Sequence, residues 1–233
     1  MLPLKDNVPT RHFPLVTVAL IVANVLFYVL YQRGGVQSAL APVNELAYHP
    51  CEVTGECRQV GENWPITVFT SMFMHADILH LGGNMLFLWI FGNNIEDALG
   101  RARYLLWYLA AGIAATATQT VVTLEFANPE AATIPNLGAS GAIAGVLGAY
   151  LLLLPRASVL TAIFLGFFFF LQEIPAVLYL GIWFLFQLWQ GGFSVLQPEA
   201  GGGVAFFAHI GGFVFGLLTI QLVKQRRPLQ PRY

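Results

Sequence analysis

Long uncharged apolar runs, rather than strict alternation or a one-sided helical stripe, dominate the pattern along this 233-residue chain. Six runs stand out, at residues 15–32, 78–95, 103–124, 138–154, 174–192 and 205–223. As helices rising about 1.5 Å per residue, such runs suit a hydrocarbon layer about 30 Å thick. A further apolar stretch, SVLTAIFLGFFFFLQE, lies between the fourth and fifth runs. It is short for a crossing and is expected to be re-entrant or interfacial. The pattern predicts an all-α polytopic membrane protein with six crossings. Its membrane domain spans 15–223, with tails at 1–14 and 224–233 and a large polar loop at 33–77.

Composition agrees: 57% of residues are hydrophobic and 10% charged, against about a quarter charged in soluble domains. No basic run interleaved with aromatics points to nucleic acid. The cations set an orientation. With the N-terminus in the cytoplasm, Lys5, Arg11, Arg101, Arg103, Arg156, Lys224, Arg226, Arg227 and Arg232 all lie inside, and only Arg33 and Arg58 outside. A crossing by the Phe-rich stretch would move the C-terminal cations outside, so the charges favour six spans. A cytoplasmic N-terminus and an outward-facing site suit a prokaryotic plasma membrane. Residues 1–41 resemble a signal peptide ending in SALA, but the apolar run is long and Pro42 would follow the cut; a first span is the expectation.

The outer loop carries HPCEVTGEC. Cys51 and Cys57 have two readings there, a loop disulfide in an oxidising compartment or an open metal site with His49. Trp64, Phe69, Met72, Phe73 and Met74 either lie on the bilayer surface or pack on the helices.

Polar side chains inside spans are costly and face the bundle interior. Asn24 and Gln187 read as interhelical glue, and the span threonines as bonded to their own helix backbone. Four residues remain. His80 follows Asp77, a fitting N-cap, and Asn84 lies at i+4 from it on the same face. Ser140 heads the fourth span and His209 the sixth. Spans two, four and six all start on the outer side, so these four residues share a depth. Ser140, Ala144 and Gly148 share a stripe with Gly141 and Gly145 beside it, and His209 lines up with Gly212 and Gly216. Small residues at this spacing allow two helix backbones to approach closely. That approach would bring Ser140 Oγ to the His209 ring, which as a neutral base activates it as a nucleophile. No aspartate is well placed for a triad, so a Ser-His dyad is expected, with His80, Asn84 and backbone N–H groups as oxyanion donors. A rival reading makes His80, Asn84 and His209 a polar path through a channel or transporter, although no inverted repeat accompanies it.

With these residues in view, the chain resembles the rhomboid family of intramembrane serine proteases. The resemblance rests on GASG around Ser140, HLGGN giving His80 and Asn84, AHIGGFVFG around His209, and FMHAD and GNNIEDALGRARY flanking span two. It covers nearly the whole chain in order. It implies a six-helix rhomboid bundle that cleaves transmembrane proteins in or near the bilayer, without metal or cofactor. It also implies Ser140 as nucleophile, His209 as base, His80 and Asn84 at the oxyanion, and Gly138 in the turn beside the nucleophile. Two positions depart from the family. Trp64 is followed by Pro65 where many members have arginine. Ala144 stands where some members place an aromatic under the catalytic histidine, so His209 needs another support. A rhomboid-like pseudoprotease generally lacks the serine or histidine, and both are present here. Access to the site is expected through the glycine-rich loop at 193–204 or past span five, which carries Trp183, Phe184, Phe186 and Trp189.

Overall fold

The structure is a computed structural model that describes residues 1–32, 43, 45–55, 57, 63–166, 168–196, 205–225 and 231. A short strand, β1 (Leu2–Asp6), precedes the apolar helix α1 (Leu15–Tyr31). Pro14 gives α1 no side-chain cap. A short helix, α2 (Trp64–Thr70), precedes α3 (Ile78–Phe87). Helix α3 continues through a π turn, Leu88–Gly92, into α4 (Asn93–Leu99). Helix α5 (Arg101–Phe126) leads to α6 (Ser140–Leu153), and then to β2 (Ser158–Leu165) and β3 (Phe168–Pro175). The long helices α7 (Ala176–Leu196) and α8 (Phe206–Val223) follow.

Three stretches, Arg101–Phe126, Ala176–Ser194 and Phe206–Val223, are helices long and apolar enough to cross a membrane; α1 and α6 are shorter apolar helices. Outward-facing Leu106, Leu185, Trp189, Leu218 and Leu222 are exposed, as lipid-facing side chains are.

The core is built around α6, whose residues from Gly141 to Tyr150 are all buried. Phe91, Tyr108 and Phe213 pack around it against its own Leu147 and Tyr150. The GNNIEDALGRARY segment serves the N-terminal end of α1. Glu96 accepts from Val16 N–H at 3.0 Å, Thr17 N–H at 2.8 Å and the Thr17 hydroxyl at 2.8 Å. It thus supplies from α4 the cap that Pro14 cannot. Asp97 pairs with Arg11 at 2.6 Å.

Two parts of the expected architecture differ. The helices match the all-α reading, but a three-stranded antiparallel sheet in the order β1-β2-β3 is added to them. The Phe-rich stretch is a hairpin turning at Gly166, whose φ of +61° suits glycine. Its length argued against a crossing helix, while its β-branched and aromatic residues around a glycine favour strands. The other difference is the N-terminal tail, which is stitched to the bundle. β1 pairs with β2 from Leu2↔Ala162 to Asp6↔Val159.

Asp6 ends that strand and accepts from Tyr150 Oη at 2.6 Å and Asn94 Nδ2 at 2.8 Å. Burial raises its carboxyl from 3.8 to about 6, although these hydrogen bonds pull the other way. The folded state therefore holds a proton that the unfolded state releases. Stability from this group is full below the unfolded value of 3.8 and is lost as pH rises through about 6. Asp6→Asn keeps an acceptor for Tyr150 and removes the titration. Its thermal midpoint in detergent is expected to exceed that of wild type at pH 7.5 and to converge with it near pH 4. A wild-type advantage that grows with pH would contradict this sign.

Of the aromatics and methionines in the 33–77 loop, Trp64 and Phe69 are exposed on α2, whereas Met72 and Met74 are buried and Phe73 packs against the core. Packing on the helices thus holds for Met72, Phe73 and Met74. Cys51 and Cys57 are joined in a disulfide with Cα atoms 5.2 Å apart, which removes them as thiolate ligands. His49 instead contacts Glu52.

Candidate active site

Ser140 is the first residue of α6, and three elements hold the turn that delivers it. Asn136 N–H donates to Tyr48 C=O at 2.7 Å, and Gly138 N–H to Ser71 C=O at 2.9 Å. Tyr48 is itself anchored to Thr120 through hydroxyls 2.8 Å apart. Gly138 has φ +123°, a conformation open to glycine and strained for other residues. A Cβ there would lie 3.0 Å from His80 Cε1 and Nε2.

The expected approach of α6 and α8 is present. A Cβ on Gly212 would strike the carbonyl oxygen of Gly141, and one on Gly216 that of Gly145. On the other side, Gly141 and Gly145 face α5, where added Cβ atoms would come 2.6 Å from Ala115 Cβ and 2.7 Å from Ala111 Cβ. All four glycines expected to pack helices lie in this seam. At its head, His209 Nε2 is 2.8 Å from Ser140 Oγ.

The other ring nitrogen, Nδ1, is 2.8 Å from Gln187 Oε1 on α7. The amide oxygen can only accept, so Nδ1 carries the proton and Nε2 presents its lone pair to Ser140. The Trp183 ring lies 5.9 Å from the imidazole, one helical turn before Gln187. These two side chains support His209 where Ala144 leaves no aromatic. Gln119 acts one step further out. Its Oε1 accepts from Phe207 N–H at 3.1 Å and Ala208 N–H at 3.2 Å. It thereby caps α8, whose own N-cap residue Ala205 has no capping side chain.

His80 and Asn84 sit on the facing side of α3. Asp77 caps that helix, accepting from Leu79 and His80 N–H at 2.8 Å each. Ala76 N–H donates to His80 Nδ1 at 3.4 Å, which leaves Nε2 as the donor-bearing nitrogen facing Gly138. Asn84 is buried, and among the described residues its Nδ2 has no hydrogen-bond partner. The same Gly138 Cβ position lies 3.6 Å from it. Behind His80, the buried His75 ring stands edge-on at 5.1 Å. Burial, reinforced by His80, lowers His75 to about 4 and keeps it neutral.

Ser140, His209, His80 and Asn84 line one cavity of about 740 Å³, together with Trp183 and Leu147. The four residues singled out from the sequence thus lie together; sequence reasoning assigned Gln187 to helix packing and passed over Gln119. The available signal for Gln187 was its place four residues after Trp183, on one face of a helix with few other polar groups. Residues 197–204, in the loop expected as one access route, lie outside the described residues.

The family model described as Rhomboid domain matches residues 62–226. The chain belongs to the rhomboid family. Among its rhomboid relatives, "Rhomboid protein 1, mitochondrial" of Saccharomyces cerevisiae is 32% identical over 178 residues, covering 70% of this chain and 45% of the yeast protein. "Presenilin-associated rhomboid-like protein, mitochondrial" of Bos taurus is 31% identical over 170 residues, covering 68% of this chain and 40% of its own. "Rhomboid protease GluP" of Bacillus subtilis is 42% identical over 91 residues, 39% of this chain and 16% of that protein. The chain spans less than half the length of these rhomboid relatives. With its apolar helices, this rhomboid chain is an integral membrane protein.

Proposed function

We propose that this protein is an intramembrane serine endopeptidase that hydrolyses peptide bonds in or near transmembrane segments of membrane proteins. The observation that carries this is the 2.8 Å contact between Ser140 Oγ and His209 Nε2, made at the head of a glycine seam and opposite a buried donor, Asn84 Nδ2, that has no partner among the described residues. Family membership and the relative named a rhomboid protease support the same class. The domain plan is the sequence-based one: six crossings over 15–223, both tails cytoplasmic, and the site toward the outer face of a prokaryotic plasma membrane.

In this mechanism His209 Nε2 takes the Ser140 proton as Oγ attacks the scissile carbonyl. The oxyanion is held by His80 Nε2–H, Asn84 Nδ2–H and N–H groups at the start of α6, which have no intrahelical acceptor. The tetrahedral intermediate collapses, and the departing amine takes the proton from His209. Water then hydrolyses the acyl-serine by the same route. A substrate helix hides its carbonyls in its own hydrogen bonds, so cleavage favours segments with weak helix formers.

Purified protein in liposomes with a helix-weakened single-span reporter tests the proposal. Cleavage and covalent labelling of Ser140 by a fluorophosphonate are the expected results. Absence of both, in folded protein, would remove the reading.

Gln187 is a positioning residue in this scheme. Gln187→Ala is expected to lower kcat by about 10- to 100-fold with little change in KM, on the scale of losing a ligand-orienting partner. In Gln187→Glu, a carboxylate at the same distance favours the imidazolium. The rise of activity with pH should therefore move to higher pH while activity partly returns. A glutamine that only ties helices together would leave the pH profile where it was.

A further inference from the structure

The sheet at the far end of the bundle holds a feature that proteolysis does not use. α6 starts at Ser140 and ends at Leu153, and β2 and β3 lie between that end and α7. The hairpin is therefore at the pole opposite the serine. β1 covers β2 only from Val159 to Ala162. Beyond it, the pairs Ile163↔Phe170, Phe164↔Phe169 and Leu165↔Phe168 stand as a two-stranded tip. Phe168 is 80% exposed and Phe169 65%, with Phe164, Leu165 and Phe170 also exposed. Both faces of the tip are apolar, because alternation along β3 sends Phe168 and Phe170 to one side and Phe169 to the other.

We infer that this tip is a membrane anchor, seated at the boundary between headgroups and acyl chains on the side of the bilayer away from Ser140. Three observations favour lipid over a protein partner. First, β3 runs without a break into α7, whose exposed Val177, Leu178 and Ile182 continue the apolar surface. Second, the tip offers no polar side chain with which to pair, whereas protein interfaces carry hydrogen bonds throughout. Third, charge appears only nearer the base, where exposed Lys5 lies opposite Leu160 and exposed Glu173 pairs in register with the same residue. An apolar end below charged residues fits a polar–apolar boundary. The depth follows from the backbone. β3 is an edge strand, and its free N–H and C=O groups are unsatisfied in hydrocarbon but hydrated at the interface. The tip therefore inserts shallowly and does not cross.

The test uses nitroxide labels on the full chain in liposomes, at Phe168→Cys and, as a base control, Glu173→Cys. Cys51 and Cys57 are paired with each other and do not take the label. Power saturation compares access by oxygen, which partitions into lipid, with access by a water-soluble nickel chelate. Oxygen access is expected to exceed nickel access at 168, with the order reversed at 173. Depth at 168 should correspond to the outer part of the acyl chain. Nickel access at 168 equal to that at 173 would put the tip in water and overturn the proposal. Low access to both reagents would mean that protein covers it. Spin–spin broadening that vanishes on dilution with unlabelled chain would identify that protein as a second copy. Either of these results also overturns it. None of these readouts depends on peptide-bond cleavage.

Discussion

Cleavage of a single-span reporter is expected to fall by at least about 10³-fold in Ser140→Ala, by a similar factor in His209→Ala, and no further in the double variant. The two side chains act as one unit. Ser140 Oγ is a weak nucleophile unless its proton has an acceptor, and the acceptor 2.8 Å away is His209 Nε2. Removing either leaves the other without a task, so the losses overlap instead of adding. The opposite wall behaves differently. Asn84 Nδ2 and His80 Nε2 stabilise charge after attack, and losing one such donor costs about 10²–10³ in kcat while the nucleophile stays reactive. Asn84→Ala is therefore expected to retain fluorophosphonate labelling, slowed, whereas His209→Ala loses it. Reporter kinetics and probe labelling on these three single variants and the double variant check the pattern. Full activity in His209→Ala would remove the dyad. Proton flux through liposomes that survives Ser140→Ala would favour the polar-path alternative.

The outline of this site was legible from the sequence because depth and spacing are one-dimensional quantities. Three same-sense apolar runs, each with a polar group near its head, place Ser140, His209, His80 and Asn84 at one level. The glycines at 141, 145, 212 and 216 say which backbones approach. Asp77 was readable as a cap for the same local reason, and the structure shows it accepting from Leu79 and His80. What could not be read depends on rotation about helix axes and on pairing between distant segments. Gln187 is one amide in an apolar helix, and glue or orienter differ only in which neighbour it faces. Gln119 and Glu96 each cap a helix other than their own, and no local motif reports that. The sheet joins residues 2–6 to 159–162; period and length within the Phe-rich stretch exclude a long helix but do not name a strand partner far away in sequence. The cysteines of the 33–77 loop had two chemical readings until the two were placed together.

A valine at position 212 is expected to cost about 10²-fold or more in activity and to lower the thermal midpoint, while Gly82→Ala changes neither appreciably. Both glycines lie in helices, so propensity alone disfavours neither substitution: alanine gains at most about 0.5–1 kcal/mol over glycine and valine less. Their surroundings separate them. Nothing lies within 4 Å of a Cβ on Gly82, whereas a Cβ on Gly212 collides with the carbonyl oxygen of Gly141, a backbone atom that cannot rotate away. Relief requires α8 to move off α6. Position 212 is one turn from His209 and Gly141 is next to Ser140, so the seam opens where the 2.8 Å contact is made. A displacement near 1 Å breaks that hydrogen bond and is the size of misplacement that costs about 10²-fold in a positioned reaction. Lipid offers no hydrophobic drive to close the gap again, because association here rests on packing. Gly216→Val meets Gly145 in the same way but two turns from His209. It should lower the midpoint by a similar amount and activity by less. Equal losses of activity at 212 and 216 would mean that the glycines serve stability alone, and a smaller loss at 216 ties the close approach to the geometry of the serine and histidine.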